Sequence, residues 1–194
     1  NDGAGHFTDV TVSSGVHRPG TAQWQPVIFD IDGNGHQDIF VAVDFTENFL
    51  FMNQGNGQFV DAATDAGVAQ TWNDMGVAVG DYDNDGDFDL YVTHVHGRSP
   101  GEHNTLLRND STPGHPVFTD VAEVVGVADT SWGWGATFVD ADLDGDLDDI
   151  DPITSTAAYS VSVPLPVSTS SMPPLVISAV SSTLLLGESI GLSS

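Results

Sequence analysis

The chain contains no cysteine and no lysine, and it has only three basic residues among its 194. Without cysteine there is no disulfide framework, so the sequence leaves the redox compartment open. Against the three arginines stand 28 acidic residues, which gives a formal net charge of −25. Such a surface repels nucleic acid and anionic membranes, so we expect neither as a partner. The same surface favours cations.

Long apolar segments are also absent. No run of 18 or more apolar residues occurs, so we expect no membrane insertion in this segment. The chain opens at Asn1 without a methionine or a signal-type segment, which is typical of a processed product or a fragment. A hydrophobic content of 40% with ten phenylalanines predicts a folded core rather than disorder.

Two kinds of segment recur with a period in the fifties, which is the mark of a repeat architecture. The acidic kind occupies residues 29–42, 80–93 and 139–152. The other kind runs from a predicted Phe-x-Asp strand to Gly-Val and occupies residues 3–16, 55–68 and 115–127. Its phenylalanines, Phe7, Phe59 and Phe118, lie 52 and 59 residues apart. A longer loop in the second unit, at 96–104 together with 111–116, accounts for the unequal spacing.

Each full period contains four short runs rich in Val, Ile, Phe and Tyr, separated by Gly, Asn and Asp, which predicts four β-strands. The predicted strands of the first period are Trp24–Asp30, Asp38–Val43, Asn48–Asn53 and Gln58–Ala62. Those of the second are Met75–Asp81, Asp89–His94, Thr105–Asn109 and Val117–Val121. The stretch AATDAGV predicts a single helical turn at each junction between units.

Four strands in each of several units predict an all-β fold, namely a partial β-propeller of four-stranded blades. A β-solenoid is the alternative, although its repeats are usually shorter. A propeller closes with about four to eight blades, and residues 1–149 supply about three repeats. We therefore expect this chain to be part of a longer protein.

The repeat pattern ends after Asp148, and two interpretations of the remainder stay open. In the first, residues 150–174 are a linker rich in Pro, Ser and Thr, and residues 175–194 resemble the opening strands of a bacterial immunoglobulin-like domain. In the second, a broken reading frame has produced a non-native tail without an evolved fold. Under either interpretation the third blade lacks its later strands.

The acidic segments share the pattern D-x-[DN]-x-[DN]-G-x-x-D. A hard divalent cation takes six to eight oxygen ligands, and alternating positions 1, 3 and 5 of a tight turn place side-chain oxygens on its inner side. Glycine at position 6 permits the reversal, and the carbonyl of position 7 and the carboxylate of position 9 complete the shell. The candidate metal residues are Asp30, Asp32, Asn34, His36 and Asp38; Asp81, Asp83, Asp85, Asp87 and Asp89; and Asp140, Asp142, Asp144, Asp146 and Asp148.

These loops resemble the first half of an EF-hand loop but are not EF-hands. Position 12 is Val41, Val92 or Asp151 instead of a bidentate Glu, and β-type runs flank each loop. A solvated acidic turn, or an Asx-turn without an ion, is the alternative. Three loops in phase with the repeat favour up to three structural Ca²⁺ ions over that alternative, and Mg²⁺ fits less well. The first loop has the fewest carboxylates, so we expect it to bind most weakly.

The run MGVAVGDYDNDGDFDLYV (75–92) resembles the FG-GAP, or VCBS, repeat of integrin α-subunit propellers and of many secreted bacterial proteins. The lead-ins Asn-x-Gly-x-Gly-x-Phe at 1–7 and 53–59 are similar to those of the cartilage acidic protein family and its bacterial relatives. The resemblance covers residues 1–149. It implies a propeller whose structural calcium loops join the first and second strands of each blade. It also implies a secreted or cell-surface protein that adheres to, or recognises, an extracellular protein or carbohydrate.

The remaining candidates are weaker. His94, His96 and His103 could form a second metal site, but we favour ordinary surface or loop histidines. The tryptophans could stack on sugars, but packing between blades is the favoured interpretation; they are Trp24, Trp72, Trp132 and Trp134. No nucleophile and base stand out, so we expect a binding module and not an enzyme. The alternative is the non-catalytic part of a secreted hydrolase or polysaccharide-active enzyme.

Overall fold

The computed structural model describes residues 2–95, 101–128, 133–140, 147–149, 159–160 and 178–179. Its main elements are two four-stranded antiparallel sheets, each with its strands in sequential order. The first sheet contains β1 (Ala22–Phe29), β2 (Asp38–Asp44), β3 (Phe49–Asn53) and β4 (Phe59–Asp61). The second contains β5 (Asp74–Gly80), β6 (Asp89–His94), β7 (Thr105–Asn109) and β8 (Phe118–Asp120). The predicted all-β class and the four-stranded units are confirmed.

A third unit begins in the same way as the first two. Its strands β9 (Phe138–Val139) and β10 (Asp148–Asp149) are antiparallel, and Val139 pairs with Asp148. Phe29 pairs with Asp38 and Gly80 with Asp89 in the equivalent register. The acidic loop therefore joins the first and second strands in all three units.

The predicted helical turn occurs at both junctions between units. After β4 it is a turn at residues 63–67, in which the Ala66 N–H donates to the Ala62 carbonyl at 2.9 Å. After β8 it is the short helix α1 (Ala122–Val125). The junctions thus repeat along with the sheets.

The first Phe-x-Asp segment differs from its two counterparts. Phe59 and Phe118 begin strands that pair with β3 and β7. Residues 7–9 form no strand, and Phe7 is 80% exposed. The expectation of a strand here was wrong, because a fourth strand needs the third strand of its own sheet as a partner. No described strand pairs with these residues.

Most of the residues for which predictions were made in the C-terminal region lie outside the described residues. This applies to the linker at 150–174 and to the immunoglobulin-like segment at 175–194. Within them the structure describes only β11 (Tyr159–Ser160) and β12 (Ser178–Ala179), which pair antiparallel. Both interpretations of this region remain predictions.

The core lies between the two sheets, and the second strands alternate between two buried faces. Phe40 and Leu90 point into the shared core, together with side chains of the first junction such as Val68. Val41 packs on the outer face of the first sheet, and Tyr91 on the outer face of the second. Because both faces are covered, the central residues of β2 (39–43) and of β6 (90–92) are continuously hydrophobic instead of alternating with polar residues.

The first strands of neighbouring units are joined directly. The Gln25 side chain on β1 donates to the Val77 carbonyl on β5 at 2.9 Å and accepts from the Val77 N–H at 3.0 Å. Gly76, the neighbour of Val77, lies against the third unit: an added Cβ would be 2.6 Å from the Gly135 Cα and 2.8 Å from the Trp134 carbonyl oxygen. Units one to three therefore pack through their first strands.

Within the part of the chain that the structure describes, no helix is long and apolar enough to span a bilayer.

The packing at Gly76 generates a testable prediction. Gly76→Ala should lower the free energy of unfolding by about 1–3 kcal/mol, because the new methyl group meets backbone atoms that cannot turn aside. Gly135→Ala is the matched control, since an added Cβ there meets nothing within 4 Å. Urea denaturation monitored by tryptophan fluorescence measures both, and equal stabilities would contradict the close contact between the second and third units.

Candidate metal centre

The acidic loops of the first two units adopt the same backbone turn. Positions 4 and 6 have positive φ in both: Gly33 at 70° and Gly35 at 88° in the first loop, and Asn84 at 59° and Gly86 at 99° in the second. Glycine adopts this left-handed region without penalty, and asparagine tolerates it better than most residues. The loop sequence therefore selects the reversal that turns its acidic side chains inward.

The aspartate at position 1 holds the turn together. Asp30 accepts the Asn34 N–H at 3.0 Å and the Gly35 N–H at 2.7 Å. Asp81 accepts the corresponding N–H groups of Asp85 and Gly86, at 3.1 and 3.0 Å. A carboxylate has about four lone-pair sites, so these bonds leave capacity for a cation.

The aspartate at position 9 is completely buried in the first two loops. Asp38 and Asp89 are both 0% exposed. Asp38 accepts the Ile31 N–H at 3.0 Å and the Asn53 N–H at 2.7 Å. Asp89 accepts the Tyr82 N–H at 3.0 Å and the Asn109 N–H at 2.8 Å. Each carboxylate thus ties its loop to the end of the third strand of the same sheet.

Three carboxylates converge in each loop. Asp30, Asp32 and Asp38 each offer an oxygen within 4.8 Å of the other two, and so do Asp81, Asp83 and Asp89. These are positions 1, 3 and 9 of the predicted pattern. Three hard anionic oxygens at this separation fit the donor preference of Ca²⁺, so both clusters could hold a metal ion.

The electrostatics of the two clusters are unfavourable for bare carboxylates. The pKa of Asp89 is raised to about 6, chiefly by burial and also by the charges of Asp83 and Asp85, while the two N–H groups that donate to it act in the opposite direction. The pKa of Asp38 is raised in the same direction, again chiefly by burial. A bound cation reverses this balance because it stabilises the ionised form.

The other predicted ligands of the first two loops are not members of these clusters, and their metal role stays a prediction. The side chains at position 5, Asn34 and Asp85, accept the N–H of position 7, at 2.8 and 3.0 Å. At position 7, Asp87 is exposed, and the His36 ring lies against the backbone of Gly55. Position 7 was predicted to contribute its carbonyl, which leaves these side chains outside the cluster.

The third loop is described only in part. Asp142, Asp144 and Asp146 lie outside the described residues, and so does the side chain of Asp148. Asp140 is half-buried directly after β9. The metal role of these five residues remains a prediction.

Sequence reasoning missed the residues that support the loops. Asn53 and Asn109 end β3 and β7, and each donates its backbone N–H to the position-9 aspartate. Their side chains also donate to loop carbonyls, Asn53 to Gln37 at 3.0 Å and Asn109 to Phe88 at 3.1 Å. The signal that could have revealed them is an asparagine at the end of the third strand in both units.

The histidine and tryptophan candidates have structural surroundings. His94 is completely buried between Asp74, at 3.3 Å, and Glu102, at 3.4 Å. The Nε2 of His103 lies 2.8 Å from an Asp120 carboxylate oxygen. Neither histidine belongs to the two carboxylate clusters that could hold a metal ion. His94 is therefore a core histidine and not the surface or loop residue that was expected, and His96 lies outside the described residues.

The three described tryptophans make aromatic contacts, one pair of them between units. Trp24 and Trp134, from the first and third units, meet edge to face with ring centroids 5.9 Å apart. Trp72 packs against the rings of His94 and His103, at 5.5 and 4.9 Å. These contacts support packing as the role of these three residues, while Trp132 lies outside the described residues.

A cleft of about 630 Å³ lies beside the first loop. Its walls are the loop itself, the β3–β4 hairpin and the turn between β7 and β8, and they include the side chains of Asp32, His36, Asp65 and His115. The cleft therefore lies between two units, next to one of the acidic clusters.

Comparison with known proteins assigns these repeats. The FG-GAP-like repeat family matches residues 30–92, which contain the first two loops, strands β2 to β5 and most of β6. For these residues the match confirms the resemblance to FG-GAP repeats that was drawn from the sequence. The match points to a non-catalytic repeat module.

Three similar proteins are vertebrate. The chain is 37% identical over 115 residues to cartilage acidic protein 1 of Mus musculus, a match covering 59% of this chain and 17% of that protein. It is 42% identical over 86 residues to cartilage acidic protein 1 of Homo sapiens, covering 44% of this chain and 12% of that protein. The protein of the same name from Xenopus tropicalis is 38% identical over 86 residues, with the same coverage. The chain spans less than a fifth of the length of these relatives.

The two kinds of aspartate in a loop should respond differently to mutation. Asp89→Ala leaves the buried N–H groups of Tyr82 and Asn109 without their acceptor, and each such loss costs about 1–3 kcal/mol. We expect the metal-free protein to lose about 2 kcal/mol or more of unfolding free energy. Asp83→Ala is the control: Asp83 is exposed, so its removal should leave the metal-free stability nearly unchanged. Urea denaturation in the presence of a chelator distinguishes the two, and similar losses in both variants would contradict this division of roles.

Proposed function

We propose that this chain is a calcium-binding repeat module of a secreted or cell-surface protein, used for adhesion or for recognition of an extracellular protein or carbohydrate. The observation that carries the proposal is the convergence of three aspartate oxygens in each of two loops, at equivalent positions of successive FG-GAP-like repeats. Carboxylate oxygens in a flexible loop suit Ca²⁺ better than Mg²⁺, which demands a rigid octahedron and retains its waters.

The proposed ligands follow from the clusters. Asp30, Asp32 and Asp38 would hold one ion, and Asp81, Asp83 and Asp89 a second; the third loop would hold another. A bound ion neutralises two charges, so three ions would reduce the net charge of −25 to about −19. The bound ion would link the first and second strands of a unit at the loop where the carboxylates otherwise repel one another.

The wider architecture belongs to the same proposal. Sheets that follow one another and pack through their first strands are the arrangement of propeller blades, and a propeller closes with about four to eight of them. We propose that the described units are blades of such a propeller, completed in a longer protein. The cleft beside the first loop, between two units, is the surface that we assign to ligand recognition.

Calorimetric titration of calcium into the metal-stripped protein tests the proposal directly. We expect saturable binding of two or three ions. The double variant Asp83→Ala, Asp85→Ala should bind one ion fewer, because its second loop has lost two carboxylates. If the heat of the wild-type protein equals that of the variant, the aspartates form solvated turns and the proposal fails.

Calcium should also stabilise the fold. An ion that binds only the native state adds about 2.7 kcal/mol at a concentration one hundred times its dissociation constant. We therefore expect the melting temperature, followed by circular dichroism, to fall when a chelator is added and to recover with excess calcium. The double variant should recover less than the wild-type protein, and a melting temperature independent of calcium would argue against structural ions.

A further inference from the structure

Asn109 is a buried asparagine, 2% exposed, at the end of β7. Its backbone N–H donates to Asp89 Oδ1 at 2.8 Å, and Asp89 is the buried carboxylate of the second loop. Its side-chain Nδ2 donates to the Ile31 carbonyl at 2.9 Å and to the Phe88 carbonyl at 3.1 Å. Ile31 belongs to the first loop, 78 residues earlier in the chain. One residue thus contacts both acidic loops.

The contact reaches the first loop at a sensitive point. Ile31 lies between Asp30 and Asp32, two of the three residues whose carboxylates converge there. Its own N–H donates to Asp38, the third member of that cluster, at 3.0 Å. The orientation of the Ile31 backbone therefore affects the backbone of Asp30 and Asp32 and the side chain of Asp38.

Two further contacts join the first loop and its flanking residue Phe29 to the second unit. Asp32 Oδ2 accepts the N–H of Gly114, in the turn between β7 and β8, at 2.7 Å. The rings of Phe29 and Phe88 meet edge to face with centroids 6.1 Å apart. Phe29 immediately precedes the first residue of the first loop, Asp30, and Phe88 precedes the last residue of the second loop, Asp89. The first loop is consequently packed against the second unit and is not an independent turn.

Asn53 is the equivalent residue of the first unit and provides a comparison. Its N–H donates to Asp38 as that of Asn109 does to Asp89. Its side-chain Nδ2 donates to the Gln37 carbonyl in the loop of its own unit, at 3.0 Å, as that of Asn109 does to the Phe88 carbonyl. Among the described residues, the additional bond from this position to another loop is that of Asn109 to Ile31.

We propose that Asn109 is a positioning residue that couples cation binding in the two loops, so that an ion in the second loop increases the affinity of the first. An ion that fixes Asp89 also fixes the N–H of Asn109, and the side chain then holds the Ile31 carbonyl in the geometry that brings Asp30, Asp32 and Asp38 together. The inference rests on the proposed function, because it requires that both loops bind a cation.

The magnitude of the coupling can be bounded. Coupling between two binding sites typically changes affinity about 5- to 150-fold. A path of hydrogen bonds through one side chain belongs at the lower end, so we expect about a fivefold effect. The proposed coupling raises the affinity of the loop with the fewest carboxylates.

Each loop has its own reporter. The Gly35 N–H donates to Asp30 at 2.7 Å, and the Gly86 N–H donates to Asp81 at 3.0 Å. Calcium binding at either carboxylate shifts the corresponding amide resonance in ¹⁵N–¹H spectra. Titration of the whole chain with calcium chloride therefore gives the midpoint of each loop separately.

The experiment compares the Gly35 midpoint with the second loop intact and with it disabled by Asp83→Ala, Asp85→Ala. We expect the midpoint to rise about fivefold when the second loop is disabled. In the background of Asn109→Asp, which keeps the shape of the side chain and removes its N–H donors, the same comparison should give a factor near one. Asn109→Ser replaces this variant if it does not fold.

Asn53→Asp is the matched control, because it introduces the same charge at the equivalent position of the first unit. In this background the ratio of the Gly35 midpoints with the second loop disabled and intact should remain as in the wild-type protein. Long-range electrostatic effects of disabling the second loop are common to all backgrounds, so they cancel when the factors are compared.

Three results would count against the inference. A Gly35 midpoint that does not change, or that falls, when the second loop is disabled would overturn the coupling while leaving calcium binding intact. A factor that persists in the Asn109 variant would overturn the role of Asn109. If calcium moves neither Gly35 nor Gly86 in the wild-type protein, the proposed function itself fails.

Discussion

The first two repeats each depend on the completely buried carboxylate that ends the acidic loop. Asp38 and Asp89 are completely buried, and each accepts a backbone N–H from the start of its own loop and another from the end of the third strand. Burying a charge is costly unless it is paired, and here the partners are dipoles and not cations. The acidic neighbours in the loop add repulsion, and the pKa of Asp89 is accordingly raised to about 6. A loop built in this way is closed by hydrogen bonds and favours a cation.

This constraint explains how the repeats share their parts. Because hydrogen bonds tie each loop to the end of the third strand, the position of the loop relative to its sheet is fixed. The loop therefore contacts the neighbouring unit at that end of the sheet. The turn between β7 and β8 reaches Asp32 in the first loop through Gly114, and the hydrophobic core lies between the two sheets. The first two acidic loops thus lie where the first and second units adjoin.

Much of the fold could be predicted from local sequence. The run of Val, Ile, Phe and Tyr in β2 and β6 predicts strands, and the glycines and asparagines between the strands predict turns, since these residues act through their own backbone preferences. The members Asp30, Asp32 and Asp38 of the first cluster follow from alternation within a turn. Phe7 was misjudged because strand formation there needs a partner strand, and a local pattern carries no information about whether the partner is present. His94 was misjudged for a related reason, because burial between Asp74 and Glu102 depends on residues distant in the chain.

By itself the sequence determined the repeat, the four-stranded units and the acidic loops, because periodicity, strand propensity and turn chemistry act over a few neighbouring residues. Tertiary structure alone decided which carboxylates of the first two loops are buried. It also decided that the Asn109 side chain reaches Ile31 in the loop of another unit. Hydrogen bonds between residues 78 positions apart arise only when the sheets pack, and packing is a property of the whole chain.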